Sequence, residues 1–255
     1  MSVLLRRREG FVEILTLNRP EQRNALSPEL IEELSIAFGE AEADNDVRVV
    51  ILTAAGDKAF CAGMDLKAFA AGEGDRTPRS RVHFEAFTEG RFPKPVIAAV
   101  NATAVAGGFE LMSNCDLAVV ADTAKFGIPE VKRGLFAAGG GVLLPARIPL
   151  AIALELGLTG EPIDAARAMQ LGLVNRVVPA DQVLDTAMAL ASKIAENGPL
   201  GLIATKKLMR ATVENGVAAA RELLKESVET VFKSEDAIEG SRAFAEKRTP
   251  QWKGR

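Results

Sequence analysis

The sequence predicts an α/β fold followed by a helical appendage, and three observations carry that reading. Short apolar runs of strand type alternate with helical patterns as far as about residue 180. Turns built of small residues, several of them glycine, separate these runs. Beyond that point only helical patterns occur.

In chain order, the alternating apolar residues of FVEILTLN (11–18) mark a strand with one face toward a core. SPELIEELSIAFGEAEAD (27–44) reads as a helix. Ser27 supplies an N-cap, Pro28 fits the first helical position, and Leu30, Ile31, Leu34 and Phe38 form one apolar face. VRVVILTA (47–54) is the next strand. The small-residue loop AGDKAFCAGMD (55–65) follows it, then a short helix, then AGEGDRTPRS (71–80), whose Gly, Pro and charge content predicts a mobile surface segment. PVIAAVN (95–101) has the unbroken apolar character of a buried strand. It leads into VAGGFELMSNCD (105–116), a turn and a short helix over 107–114, and then the strand DLAVVA (116–121). AKFGIPEVKRG (124–134) is a loop or short strand, GGGVLLPARI (139–148) begins a helix after three glycines, and GLVNRVVP (172–179) is a late strand. Helices are expected over 181–196, 199–214, 216–232 and 235–246. This divides the chain into an α/β core, 1–196, and a helical region, 197–255. The last helices carry Val217, Leu223, Leu224, Val228, Val231 and Phe232, more apolar surface than such a region hides alone. That surface packs either on its own core or on another subunit.

Composition narrows the function. With 31 basic and 34 acidic residues the net charge is −3, which gives no overall pull toward nucleic acid or an anionic membrane. Small molecules and further copies of the same chain are the expected partners. Two cysteines, Cys61 and Cys115, make no disulfide framework, and with one histidine, His83, no familiar zinc set forms; a reduced compartment fits. MSVLLRRREG places arginines after the apolar run, the reverse of a secretory signal, and no stretch approaches the roughly 20 apolar residues of a membrane span. The expected location is the cytoplasm.

Chemistry is sought where polarity and burial conflict. Glu110 sits one turn into an apolar helix with no basic residue within a turn on either side. A carboxylate in that position is either a candidate acid or base with a raised pKa, or a partly exposed side chain favoured by the helix dipole. Glu130 follows Pro129 in FGIPEVKRG, between Ile128 and Val131. Alone it reads equally as the start of a turn; together with Glu110 it offers a pair that can divide acid and base duties. FCAGMD (60–65) and VAGG (105–108) each place small residues before a helix, where N–H groups point out of the turn. Two such groups converging on one point stabilise an oxyanion.

NRPEQRNALS (18–27), AFCAGMDLKAF (59–69), the run from Lys94 to Gly134, LTGEPIDAARAMQLGLVNRVVP (158–179) and FAEKR (244–248) together resemble the crotonase family, enoyl-CoA hydratases in particular. The resemblance covers nearly the whole chain and includes the 20-residue step between the two glutamates. It implies a crotonase-like spiral of β-β-α turns with a C-terminal trimerisation region, assembled as a homotrimer or a dimer of trimers. It also implies a coenzyme A thioester substrate, with no metal and no separate cofactor. Its carbonyl would lie between the N–H groups of Met64 and Gly107. Glu110 would act as base on a water and Glu130 would deliver a proton to the α-carbon. Asn24, Ala25, Leu26, Ala62, Asp65 and Leu66 would line the coenzyme site, with Phe244 and Lys247 reaching its nucleotide end from a neighbouring subunit.

The chain departs from the pattern at Ala106, at Met64 and in LFAAGGG (135–141), which bear on the shape of the acyl pocket. Its tail resembles the carnitinyl-CoA dehydratase branch, which keeps both glutamates. Other readings are a double-bond isomerase of the same family, which needs one carboxylate, and a CoA-thioester or RNA-binding scaffold that lost activity. A hydrolase is disfavoured because no G-x-S-x-G elbow is present. The glycines at 139–141 lack dinucleotide-loop spacing. Cys61 and Cys115 read as small buried thiols, His83 as a surface or rim residue, and Lys67, Lys132 and Arg133 as solvated or phosphate-facing groups.

Overall fold

Strand β1 (Leu4–Glu9) turns back at Gly10 into β2 (Val12–Leu17), the only antiparallel pair of a six-stranded sheet. The structure is a computed structural model that describes residues 2–65, 70 and 81–255. The expected short helix after residue 65, the expected surface segment 71–80, and Leu66 and Lys67 lie outside the described residues. The sheet continues with β3 (Val49–Ala54), β4 (Val96–Val100), β6 (Leu117–Ala121) and β9 (Arg176–Val178), all parallel, in the order β1-β2-β3-β4-β6-β9. Every residue of β3 and β4 is buried, which is why both read as unbroken apolar runs. The register aligns Ile14, Ile51, Ile97 and Leu117 across four strands.

A second, smaller sheet builds the spiral. Its strands are β5 (Ala104–Val105), β7 (Lys125–Gly127) and β8 (Ile163–Asp164). Each successive turn of the chain leaves a strand of the large sheet, adds a short rung here, and then forms a helix. β4 is followed by β5 and β6 by β7; isolated bridges pair Cys61 with Ala104 and Leu26 with Met64, so β3 and β2 are followed by single-residue rungs. The loops beyond the carboxyl ends of the parallel strands are thereby stacked side by side, the usual place for a ligand crevice in such sheets.

Helix α1 (Pro28–Ala43) starts as expected: Ser27 Oγ accepts from Leu30 N at 3.2 Å, and Leu30, Leu34 and Phe38 are buried. Its partner α2 (Val82–Thr88) packs Phe87 flat against Phe38, with ring centroids 4.5 Å apart. Helix α3 (Gly107–Asn114) matches the expected span. The helix expected over 139–148 is instead a 3-10 turn, Gly141–Ala146, with α4 (Leu150–Thr159) after it; Pro145 and Pro149 interrupt the α pattern. Next come α5 (Ala165–Gln170) and α6 (Val183–Ala195), which covers β2, β3, β4 and β6 with Val183, Ala187 and Ala191. The C-terminal helices are α7 (Pro199–Glu214), α8 (Gly216–Val231) and α9 (Glu235–Glu246). Met209, Val213, Val217, Leu224, Val228 and Phe232 on or beside α7 and α8 are exposed. No described helix is long and apolar enough to cross a membrane.

Candidate active site

Helix α3 begins where two loops touch. Gly108 packs so closely on the 61–65 loop that a Cβ would stand 2.0 Å from the Cys61 carbonyl oxygen. Gly63, at φ +86°, faces Ala106 and Gly107 with equal intimacy: its Cβ would lie 2.6 Å from the Ala106 methyl and 2.8 Å from Gly107 N. Only glycine permits either approach. Ala106, the residue before the helix, adopts φ 53° and ψ −134°, a strained geometry for a residue with a side chain. Met64 N–H and Gly107 N–H, the expected donors, donate to no acceptor among the described residues. Gly107 is the first residue of α3, so its N–H is one of the four that a helix leaves unsatisfied.

Glu110 stands one turn into α3 and is 7% exposed, which overturns the reading of a partly exposed helix-start residue. Its Oε1 accepts from Gly139 N at 2.7 Å and Gly141 N at 2.9 Å. Burial pushes this carboxyl above its ordinary range, while the two amides pull it down. Glu130 lies in the 3-10 turn Pro129–Arg133, half-buried, and its Oε2 is buried with no hydrogen-bond partner among the described residues. Burial raises its pKa, a backbone N–H lowers it, and the charge of Glu110 is close enough to raise it further. The two acids are therefore neighbours in unlike settings, one cradled by amides and one with an unsatisfied oxygen.

The remaining expected site residues separate into two groups. Asn24 is fully buried at φ 53°, with Nδ2 donating to the Ala55 and Ala59 carbonyls at 2.9 Å and Oδ1 accepting from Arg19 N at 2.8 Å. Ala25 is buried; Leu26 bridges Met64, and Leu26 N donates to Gly63 O at 2.8 Å. Ala62 N donates to Arg23 O, and the Asp65 carboxylate accepts from Arg19 Nη2 at 3.1 Å. These residues form one joined set of loops beside Met64. Phe244 and Lys247 are the second group, at the end and C-cap of α9; Phe244 is 88% exposed, and among the described residues neither is bonded to a member of the first group. Cys61 and Cys115 are buried, and burial pushes the Cys61 thiol up to about 12. His83 is half-buried and pairs with Glu42. Lys132 pairs with Glu161 at 2.5 Å and Arg133 reaches back to the Pro129 carbonyl. The amides of Gly139 and Gly141 and the guanidinium of Arg19 have no part in the sequence reading. A backbone N–H carries no residue-type signal, and the departure at LFAAGGG was its only trace.

The stacked-rung spiral that carries these acids and amides has counterparts among known proteins. Residues 7–255 match the enoyl-CoA hydratase/isomerase family, and the chain belongs to it. It is 42% identical over 260 residues to the carnitinyl-CoA dehydratase of Proteus mirabilis strain HI4320, covering 100% of this chain and 99% of the relative. Its structure superposes on that of an enoyl-CoA hydratase from Mycobacterium tuberculosis H37Rv with a TM-score of 0.91 at 44% identity, covering 100% of both chains. A carnitinyl-CoA hydratase from Mycobacterium avium gives a TM-score of 0.79 at 41% identity, also covering 100% of both chains. The crotonase fold anticipated from the motifs is thus the fold of this chain.

Proposed function

We propose that the protein is a hydro-lyase that adds water reversibly across the double bond of a 2-enoyl-CoA thioester. The observation that carries this reading is the asymmetry of the two acids. Burial and the charge of Glu110 both favour a proton on Glu130, and in the proposed reaction the pair holds one proton. The amides of Gly139 and Gly141 favour the charge on Glu110, and the Glu110 charge favours a proton on Glu130. Ionised Glu110 takes a proton from water as the water oxygen attacks the β-carbon. The electron pair of the double bond moves toward the thioester oxygen, where the Met64 and Gly107 amides receive the charge. Each donor of this kind is typically worth about 2.7–4 kcal/mol. Glu130 then gives its proton to the α-carbon; the product holds the water's O–H, and the proton left on Glu110 replaces the one that Glu130 gave, so one water is added and the pair again holds one proton. Coenzyme A is part of the substrate, and the reaction as proposed calls on no other cofactor. Residues 24–26, 62 and 65 lie along the coenzyme, and a second copy covers the exposed apolar faces of α7 and α8, as a trimer or a dimer of trimers.

Full-length identity to carnitinyl-CoA dehydratases favours a second reading, in which the same acids run on a thioester bearing a quaternary ammonium. The chain has no tyrosine, and its one tryptophan, Trp252, donates to the Glu196 carbonyl beside the C-terminal helices, which leaves phenylalanines and carboxylates to hold such a cation. Hydration of crotonyl-CoA and of crotonobetainyl-CoA, measured side by side, separates the two. Glu110→Gln and Glu130→Gln are each expected to lower kcat by about 10²–10⁴-fold with thioester binding kept. A wild type inert on both thioesters, or Gln variants with full turnover, would overturn the proposal.

A further inference from the structure

Arg19 has no role in the reaction proposed above, yet it is joined to the Met64 amide through two peptide units in series. Its Nη1 donates to the Ala25 carbonyl at 2.5 Å. The same peptide unit carries Leu26 N–H, which donates to the Gly63 carbonyl at 2.8 Å. The Gly63 carbonyl in turn shares its peptide unit with Met64 N–H. A trans peptide is planar with its C=O and N–H pointing in opposite directions, so each link sets the direction of the next. No peptide bond among the described residues is cis. The bond to Gly63 O therefore aims Met64 N–H away from Leu26.

We infer that Arg19 is a positioning residue that orients and polarises the Met64 donor through the relay Arg19, peptide 25–26, peptide 63–64. A cation at the head of a hydrogen-bond chain draws electron density along it and strengthens the last donor. Three further ties hold the relay in line. Arg19 Nη2 binds Asp65 at 3.1 Å, Asp65 N donates to Leu26 O at 3.2 Å, and Arg19 N donates to Asn24 Oδ1. Arg19 and Asp65 side chains are 16% and 19% exposed, so water screens the head of the relay only in part. Gly107, the other donor, has no such connection; its N–H is set by the helix dipole of α3.

The inference rests on the proposed thioester site, and its test separates the two. The probe is 4-(dimethylamino)cinnamoyl-CoA, whose visible band moves to longer wavelength as its carbonyl oxygen gains hydrogen-bond donors. Wild type is expected to shift the band; absence of a shift there would count against the thioester site itself. Arg19→Met is expected to bind the probe but lose part of the shift, with kcat lower by about tenfold and KM little changed. Arg19→Lys, which keeps the charge and one donor, is expected to recover part of both. A purely structural role would lower melting temperature and binding without moving the band of the bound probe. Should Arg19→Met fold poorly, Arg19→Gln and Arg19→Lys carry the same comparison. Bound variants with the wild-type band position and turnover would overturn the inference.

Discussion

On α1, Leu34 and Phe38 stand four residues apart and are fully buried; on and beside α8, Leu224, Val228 and Phe232 keep the same spacing and are exposed. The same four-residue apolar spacing runs through both helices. Periodicity identifies an apolar face, then, without saying what that face meets. In the sheet-bearing region the answer lies within the chain, because parallel strands present an apolar surface for each helix to cover. In the C-terminal region the chain covers little, and the apolar faces stay open to a partner. The two acids and the two amides are held among the stacked rungs, whereas Phe244 and Lys247 stand exposed on the helical region.

Four substitutions test how deep that contrast goes. The most damaging should be Gly108→Ala, since its methyl would stand 2.0 Å from a backbone carbonyl that has nowhere to move. We expect a loss of more than about 4 kcal/mol, an exceptional value for one residue, visible as a collapse of the melting temperature. Leu34→Ala should cost about 2–5 kcal/mol in denaturant unfolding. By contrast, Leu224→Ser with Phe232→Ser should leave the chain's own stability within about 1 kcal/mol and instead lower the sedimenting mass. Equal unfolding losses in the two regions would erase the distinction.

A smaller effect concerns pH. Burial holds the Glu110 carboxyl above its ordinary 4.5, so the folded state binds that proton more tightly than the unfolded chain does. Its contribution to stability is fullest below 4.5 and is lost as pH rises through the raised folded value. Glu110→Gln, which keeps an acceptor for the Gly139 and Gly141 amides, should therefore melt higher than wild type at neutral pH. The gap should close in acid, and melting curves from pH 4 to 8 would show it; a gap that widens in acid would reverse the assigned sign. Smallest of all, Gly201→Ala on α7, where a Cβ meets nothing within 4 Å, should stabilise by at most about 1 kcal/mol through helix propensity.

Much of this architecture was legible beforehand, for identifiable reasons. The Ser27 cap, the α1 face, strands β3 and β4 and the spans of α3 and α7 each have a local signal, and the structure follows them. Strand β1 has none: Arg6, Arg7 and Arg8 give it an exposed, charged edge whose pairing is supplied by β2. The rungs of the small sheet are one to three residues long, too short for any period to show. Glu110 declared itself because a carboxylate in an apolar helix is conspicuous. Glu130 did so only through its partner, and the cradle around Glu110 is made of amides that any residue but proline could supply.

The seam between Gly63 and Ala106 has one more implication. Its width is set by a hydrogen atom on one loop and a methyl on the other, in hard contact. The interval between the Met64 and Gly107 amides is thus a property of the scaffold. If those amides hold a thioester oxygen as proposed, preference among substrates is written farther out, in the walls that meet the rest of the acyl chain, and those walls can diverge without moving the amides.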